Sequence, residues 1–159
     1  MKNELKTYVL MLSKVFPSTH PKSGIATGFK DKFLVSKFHT IRTNIPLWEK
    51  RAVEINFGHA VLSVRQWSGK PYEKGSHQIE IARLTKLYTQ RIVMGASTKP
   101  FRQSWAYVDD GLKKTRYIDI QSVATNDGLS LEDFVSWFNL YENNEPYRGV
   151  ILHCTDMRY

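Results

Sequence analysis

The run Lys37-Phe38-His39-Thr40-Ile41-Arg42 gathers two cations, an imidazole and a hydroxyl into six residues with no acid among them. Extended backbone alternates its side chains, which sends Lys37, His39 and Ile41 to one face and Phe38, Thr40 and Arg42 to the other. Neither face is cleanly apolar. A half-buried strand hides one apolar face, so a strand built this way either lines a polar cleft or lies at a sheet edge, where its polar groups find partners or a ligand. A cleft into which Lys, Thr and Arg converge suits an anion or a polar base. It could also activate a hydroxyl for nucleophilic attack.

The chain has 159 residues, 42% of them hydrophobic, enough for one folded domain with its own core. Its formal net charge of +8 favours an anionic partner. Nucleic acid fits that charge better than a membrane, because the sequence shows neither a basic amphipathic helix nor a long apolar segment. Cys154 is the single cysteine, which rules out an internal disulfide and a cysteine-rich zinc site. The histidines at 20, 39, 59, 77 and 153 lack ligand spacing, so neither a metal nor another cofactor is expected. The apolar run Tyr8 to Leu12 is too short for a signal-peptide core, which gives a cytoplasmic reading.

In chain order, Thr7 to Val15 reads as the first strand and stops at Phe16-Pro17-Ser18. Residues Pro17 to Gly24 form a loop carrying His20 and Lys22. Such a loop could reach over a ligand, but a solvated connection is the favoured reading. Thr27 to Ser36 suits a short helix with Phe29, Phe33 and Leu34 inward. Thr43 to Gly58 has clear helix punctuation: Thr43 or Asn44 as cap, Pro46 in the first turn, Trp48, Ala52 and Ile55 on one face, and Gly58 as stop. Lys50 and Arg51 then form a cationic face, more commonly solvated than bound to phosphate.

Ala60 to Trp67, with Arg65, and His77 to Leu84 read as two strands of a hairpin. Its tip, Trp67-Ser68-Gly69-Lys70-Pro71-Tyr72, interleaves two aromatics with a lysine, a composition suited to stacking on bases beside a phosphate. Anchoring of Trp67 and Tyr72 to the core is an equal alternative. Leu87 to Met94 is a further strand, and Gly95 to Lys114 is the least regular stretch. Within it, Asp109-Asp110-Gly111 signals a hairpin turn between Trp105–Val108 and Tyr117–Ile120, not a metal site. Asn126-Asp127-Gly128 is another turn. Ser130-Leu131-Glu132-Asp133 resembles a capping box, and Leu131, Phe134, Val135, Phe138 and Tyr141 keep helical spacing behind it. Arg148 to Cys154 is the last strand, expected beside the first. No internal repeat, Gly-rich phosphate loop or nucleophile elbow is present. This order implies an α+β domain around a small mixed β-barrel.

The sequence KFHTIR at Lys37 to Arg42, the Gly58 to Val64 strand start, the block NDGLSLEDFVSWF at Asn126 to Phe138 and the β-rich ending resemble the ASCH superfamily. The resemblance covers most of the chain as a single domain over residues 1–159, with 95–114 as an insertion. It implies a PUA-like β-barrel with flanking helices and recognition of RNA or a modified nucleoside in a cleft beside the barrel. One branch hydrolyses the acetyl amide of acetylcytidine, and others are linked to ribonuclease activity.

That amidohydrolase branch carries a Lys-x-x-Thr-x-Arg motif and a distal Glu. Lys37, Thr40 and Arg42 match the first element, and Asp127 falls where the acid would be. The implied mechanism has Lys37 take a proton from Thr40 or a water, Arg42 or Lys37 steady the oxyanion, and Asp127 hold the lysine or shuttle the proton. Two departures bear on it. Asp is a methylene shorter than Glu, and His39 stands at an apolar position of that branch. Three hypotheses follow, in order. The first is a binding module for RNA or a modified nucleoside using Arg42, His39, Arg65, Trp67, Ser68, Lys70 and Tyr72. The second is a small amidohydrolase with Lys37, Thr40 and Asp127 as catalytic residues. The third is an interaction domain in which those three form a buried structural network.

Overall fold

The chain builds two sheets whose inner faces share one core with four helices; the computed structural model describes residues 4–109 and 115–159. Strand β1 (Lys6–Met11) runs parallel to β3 (Ala60–Trp67), and β3 continues antiparallel into β4 (Gln78–Leu84). Parallel neighbours need a long crossover. Here it contains a single helical turn, α1 (Phe29–Lys32), then β2 (His39–Arg42) and helix α2 (Ile45–Asn56). The second sheet has the order β2-β8-β5-β6-β7, antiparallel throughout, with β5 at Tyr88–Ser97, β6 at Gln103–Asp109, β7 at Thr115–Ile118 and β8 at Tyr147–His153.

Helix α2 forms as its punctuation predicts. Asn44 Oδ1 accepts a hydrogen bond from Leu47 N at 3.3 Å, Pro46 lies in the first turn, Trp48, Ala52 and Ile55 are buried, and Gly58 takes φ +79° beyond the end. The Asn56 amide then clamps the helix to the second sheet, donating to Leu87 O at 2.7 Å and accepting from Leu87 N at 2.9 Å. In the α1 region Phe29 and Phe33 are buried as expected. Leu34 is not: it sits at φ +62°, with its N bonded to Lys37 O, and the turn points its side chain outward to 41% exposure.

The last strand lies in the other sheet from the first. Val150, Ile151 and Leu152 are each completely buried, and such a strand needs neighbours on both edges, which β2 and β5 provide. The stretch that begins at Gly95 is also more regular than its composition suggests: β5 runs on to Ser97 and pairs with β6. Gly95 makes this possible, because a Cβ there would lie 2.5 Å from Trp105 Cζ2. Of the expected turn Asp109-Asp110-Gly111, the last two residues lie outside the described residues.

Helix α3 (Ile120–Asn126) was not evident from the sequence. Ile120 reads as the end of a strand, but the Asp119 carboxylate accepts from Gln121 N at 3.2 Å and starts a helix there. Helix α4 (Leu131–Trp137) begins as expected, with Ser130 Oγ accepting from Asp133 N at 3.1 Å, and stops before Tyr141. The Asp133 carboxylate pairs with Lys22 Nζ at 2.8 Å. Among the described residues no helix is long and apolar enough to cross a membrane.

Candidate functional site

Backbone pairing sets the site. Residues 37 and 38 leave the α1 turn and zip against the end of α3: Lys37 bridges Asp127, and Phe38 N donates to Asn126 O at 2.7 Å. Asp127 is the C-cap of α3, and Gly128 follows at φ +84°, a backbone conformation natural to glycine. Space matters there as well. A Cβ on Gly128 would lie 3.1 Å from the Lys37 Cβ.

The outcome is a buried ion pair. Lys37 is 1% exposed, and its Nζ donates to the Asp127 main-chain oxygen at 2.7 Å and to Oδ1 at 3.1 Å. The same ammonium lies 4.2 Å from the centroid of the Phe29 ring. Burial pushes Lys37 below its ordinary pKa; the Asp127 charge opposes that shift and Arg42 adds to it. For Asp127, burial alone would raise the pKa. The Lys37 charge and the His39 ring outweigh it and hold the carboxyl below its usual range.

Strand alternation does not separate Lys37 from Thr40, because β2 begins only at His39. Lys37, Thr40, Arg42 and Asp127 therefore line one small cavity, walled also by Phe29, Trp137 and Phe138. Its volume of ≈20 Å³ is that of a single water molecule. Arg42 donates from one terminal nitrogen to Thr40 Oγ1 at 2.7 Å and to Ile41 O at 3.0 Å, and from the other to Met11 O at 2.7 Å. This leaves the Thr40 hydroxyl hydrogen free to point elsewhere. His39 is completely buried and approaches Asp127 from behind, without lining the cavity.

A second, open cavity of ≈670 Å³ lies next to the first. One wall is the segment Met11–Val15 that continues β1, and the opposite wall is the hairpin tip, through Trp67, Gly69, Lys70, Pro71 and Tyr72. Leu12 and Ser13 line both cavities. The Trp67 and Tyr72 rings sit 5.0 Å apart at 57°. Tyr72 is 91% exposed and does not anchor the hairpin to the core. Lys14 reaches across to donate to Ser68 O.

Three residues of the expected ligand set, His39, Arg65 and Ser68, line neither cavity. Arg65 is engaged within the hairpin, donating to Ser63 Oγ at 2.8 Å and Gln78 Oε1 at 2.9 Å. Ser68 Oγ accepts from His77 N at 3.0 Å and fastens the base of the tip. The loop at 17–24 is more than a solvated connection: His20 is buried, its Nε2 3.0 Å from Asp133 O, its ring packs on Phe16 at 4.5 Å, and Gly24 lines the open cavity.

Sequence reasoning missed Phe29, Leu12, Ser13 and the group behind Asp127, namely Tyr159, Asn126 and His153. No local signal marks them, since each reaches the site through tertiary packing. Cys154 also approaches from behind, but burial pushes its thiol up to about 12, so it stays protonated and is no nucleophile. Among the described residues no group of His, Cys, Asp or Glu could hold a metal ion.

The site therefore consists of a buried Lys37–Asp127 pair and a Thr40–Arg42 pair at the inner end of an aromatic-walled pocket. No protein-family model matches the chain, and neither a curated protein nor a solved structure matches it significantly.

Proposed function

We propose that the protein is a binding domain for RNA or a modified nucleoside, of ASCH type and with a PUA-like arrangement of its two sheets. The observation that carries this reading is the sharing of Leu12 and Ser13 by the two cavities, which sets an open aromatic pocket directly beside a buried polar one. The larger cavity lies within the volume range of small-molecule sites. Trp67 and Tyr72 offer faces on which a base can stack, and Lys14 and Lys70 supply cations for a phosphate at the rim. Arg42, Thr40 and Asp127 offer donors and acceptors for the edge of the base.

Titration calorimetry with nucleosides and short single-stranded RNA tests this. Saturable binding that weakens with salt, and a loss of about tenfold or more on Trp67→Ala, is the expected result. Wild-type protein that binds neither class overturns it.

A second reading, hydrolysis of an acylated pyrimidine nucleoside, draws on one observation of its own: the buried Lys37 and the Thr40 hydroxyl share a cavity. Burial lowers the Lys37 pKa, so the ammonium gives up its proton more readily than an exposed lysine and, once neutral, could accept the Thr40 proton or that of a water. The attacking oxygen would then form the new bond to the acyl carbon while Arg42 stabilises the developing oxyanion. The C–N bond would break as the protonated Lys37 returns its proton to the leaving base amine, and an acyl group left on Thr40 would be released as acetate by a water. Acetate release from an acylated nucleoside, abolished by Thr40→Ala, supports this reading; no turnover across a panel of such substrates ends it.

A further inference from the structure

Asp127 Oδ1 has two neighbours, Lys37 Nζ at 3.1 Å and His39 Nδ1 at 3.3 Å. The approach of the ring nitrogen is too bent for a hydrogen bond in this conformation, and Nδ1 has no hydrogen-bond partner among the described residues, so the carboxylate is its nearest polar neighbour. An ionised carboxylate only accepts, so a hydrogen on Nδ1 is favoured over a ring lone pair facing the negative charge. In a neutral imidazole Nε2 is then an acceptor, and the Tyr159 hydroxyl lies 2.6 Å from it. That hydroxyl therefore donates to the ring. Its oxygen in turn accepts from Asn126 Nδ2 at 3.0 Å, a group that can only donate. A doubly protonated ring would aim a second donor at the hydroxyl oxygen and leave the Tyr159 O–H without an acceptor. Each link from Asn126 through Tyr159 and His39 to Asp127 thus has one favoured direction.

Packing holds the chain in place. The Tyr159 ring stands 5.6 Å from the His39 ring at 68° and 5.8 Å from the His153 ring at 49°. Gln90 fixes the Tyr159 backbone, accepting from its N at 3.0 Å and donating to its O at 3.1 Å. With Oδ1 occupied, Asp127 Oδ2 has no hydrogen-bond partner among the described residues.

We propose that His39 and Tyr159 are positioning residues for Asp127: the neutral Nδ1–H ring, set by the Tyr159 hydroxyl, holds Oδ1 and leaves Oδ2 to accept from an amino or imide N–H of a nucleobase. This deepens the nucleoside-binding reading and rests on it for the identity of the ligand. The relay itself does not depend on that identity.

The experiment combines ¹⁵N NMR of histidine-labelled wild-type protein at neutral pH with calorimetric titration of cytidine and uridine. The expected tautomer at His39 is Nδ1–H. Tyr159→Phe should perturb the His39 Nε2 resonance, and His39→Leu should weaken nucleoside binding about tenfold or more. His39→Asn, which can keep an amide donor near the Nδ1 position, should restore binding to within about threefold. A wild-type ring with hydrogen on Nε2, or on both nitrogens, overturns the proposal even if the variants fail to fold. So does equal affinity of His39→Leu and wild type. Wild-type protein that binds no nucleoside but shows the Nδ1–H ring would remove the functional reading and the ligand role of Oδ2, while confirming the hold on Oδ1.

Discussion

Lys37 and Asp127, ninety residues apart in the chain, form a buried ion pair in which the ammonium meets both the carboxylate and the main-chain oxygen of its partner. Removing one member strands the other's charge in the interior. Lys37→Met is expected to cost about 3–5 kcal/mol, measured by urea denaturation. The double variant Lys37→Met with Asp127→Asn should recover part of that loss, because no buried charge is then left alone. Equal stability of the Lys37→Met variant and wild type would mean that the pair is not buried as described.

Acid should weaken the fold before any carboxylate is protonated. Burial lowers the His153 pKa to about 3, with the nearby Arg158 charge adding to the shift. The folded state therefore binds fewer protons than the unfolded chain between that value and about 6.5. The contribution is fully present above about 6.5 and declines as pH falls, approaching about 1.4 kcal/mol per pH unit. Asp127, whose folded pKa is also lowered, adds its own loss below about 3.9. Denaturation midpoints collected from pH 7 to pH 4 should show the first slope, and His153→Gln should flatten it.

The hairpin tip separates binding from stability. Tyr72 is almost wholly exposed, so Tyr72→Ala should leave thermal unfolding within about 0.5 kcal/mol of wild type while weakening ligand binding. Lys70→Ala should reduce the salt slope of RNA binding by about one. Arg65→Ala should behave oppositely to Tyr72→Ala, lowering stability with little change in affinity, since its guanidinium is spent inside the hairpin.

Gly128 meets two demands at once, a positive φ and contact with the Lys37 stem. Gly128→Ala is expected to destabilise the fold by roughly 1–2 kcal/mol from backbone strain alone, with a further loss from crowding Lys37. Denaturant midpoints check the first effect. Comparing ligand affinity at a temperature where both proteins are folded checks the second.

Much of this was legible in the residues wherever local chemistry decides the outcome. The Asn44 cap, the Pro46 turn and the Ser130 cap place two helices, and the alternation of Ile79 and Ile81 with Gln78 and Glu80 orients β4. The gathering of Lys37, Thr40, Arg42 and Asp127 into one cavity also follows the reading from the motif. Four features escaped it. The β1–β3 pairing and the interior position of β8 depend on which strand loses most by leaving an edge unpaired, a comparison no window of sequence contains. Asp119 serves as a helix cap only because the chain turns there. Tyr159 carries no mark in its own neighbourhood that ties it to His39.

The long separations within the site have a kinetic consequence. Hairpins such as β3–β4 and β5–β6 close short loops, whereas the contacts of residue 37 with 127 and of 39 with 159 span 90 and 120 positions. Closing loops of that size costs more chain entropy, so refolding is expected to form the hairpins early and to dehydrate the ammonium of residue 37 only near the end. Substitutions at the pair would then accelerate unfolding far more than they slow refolding.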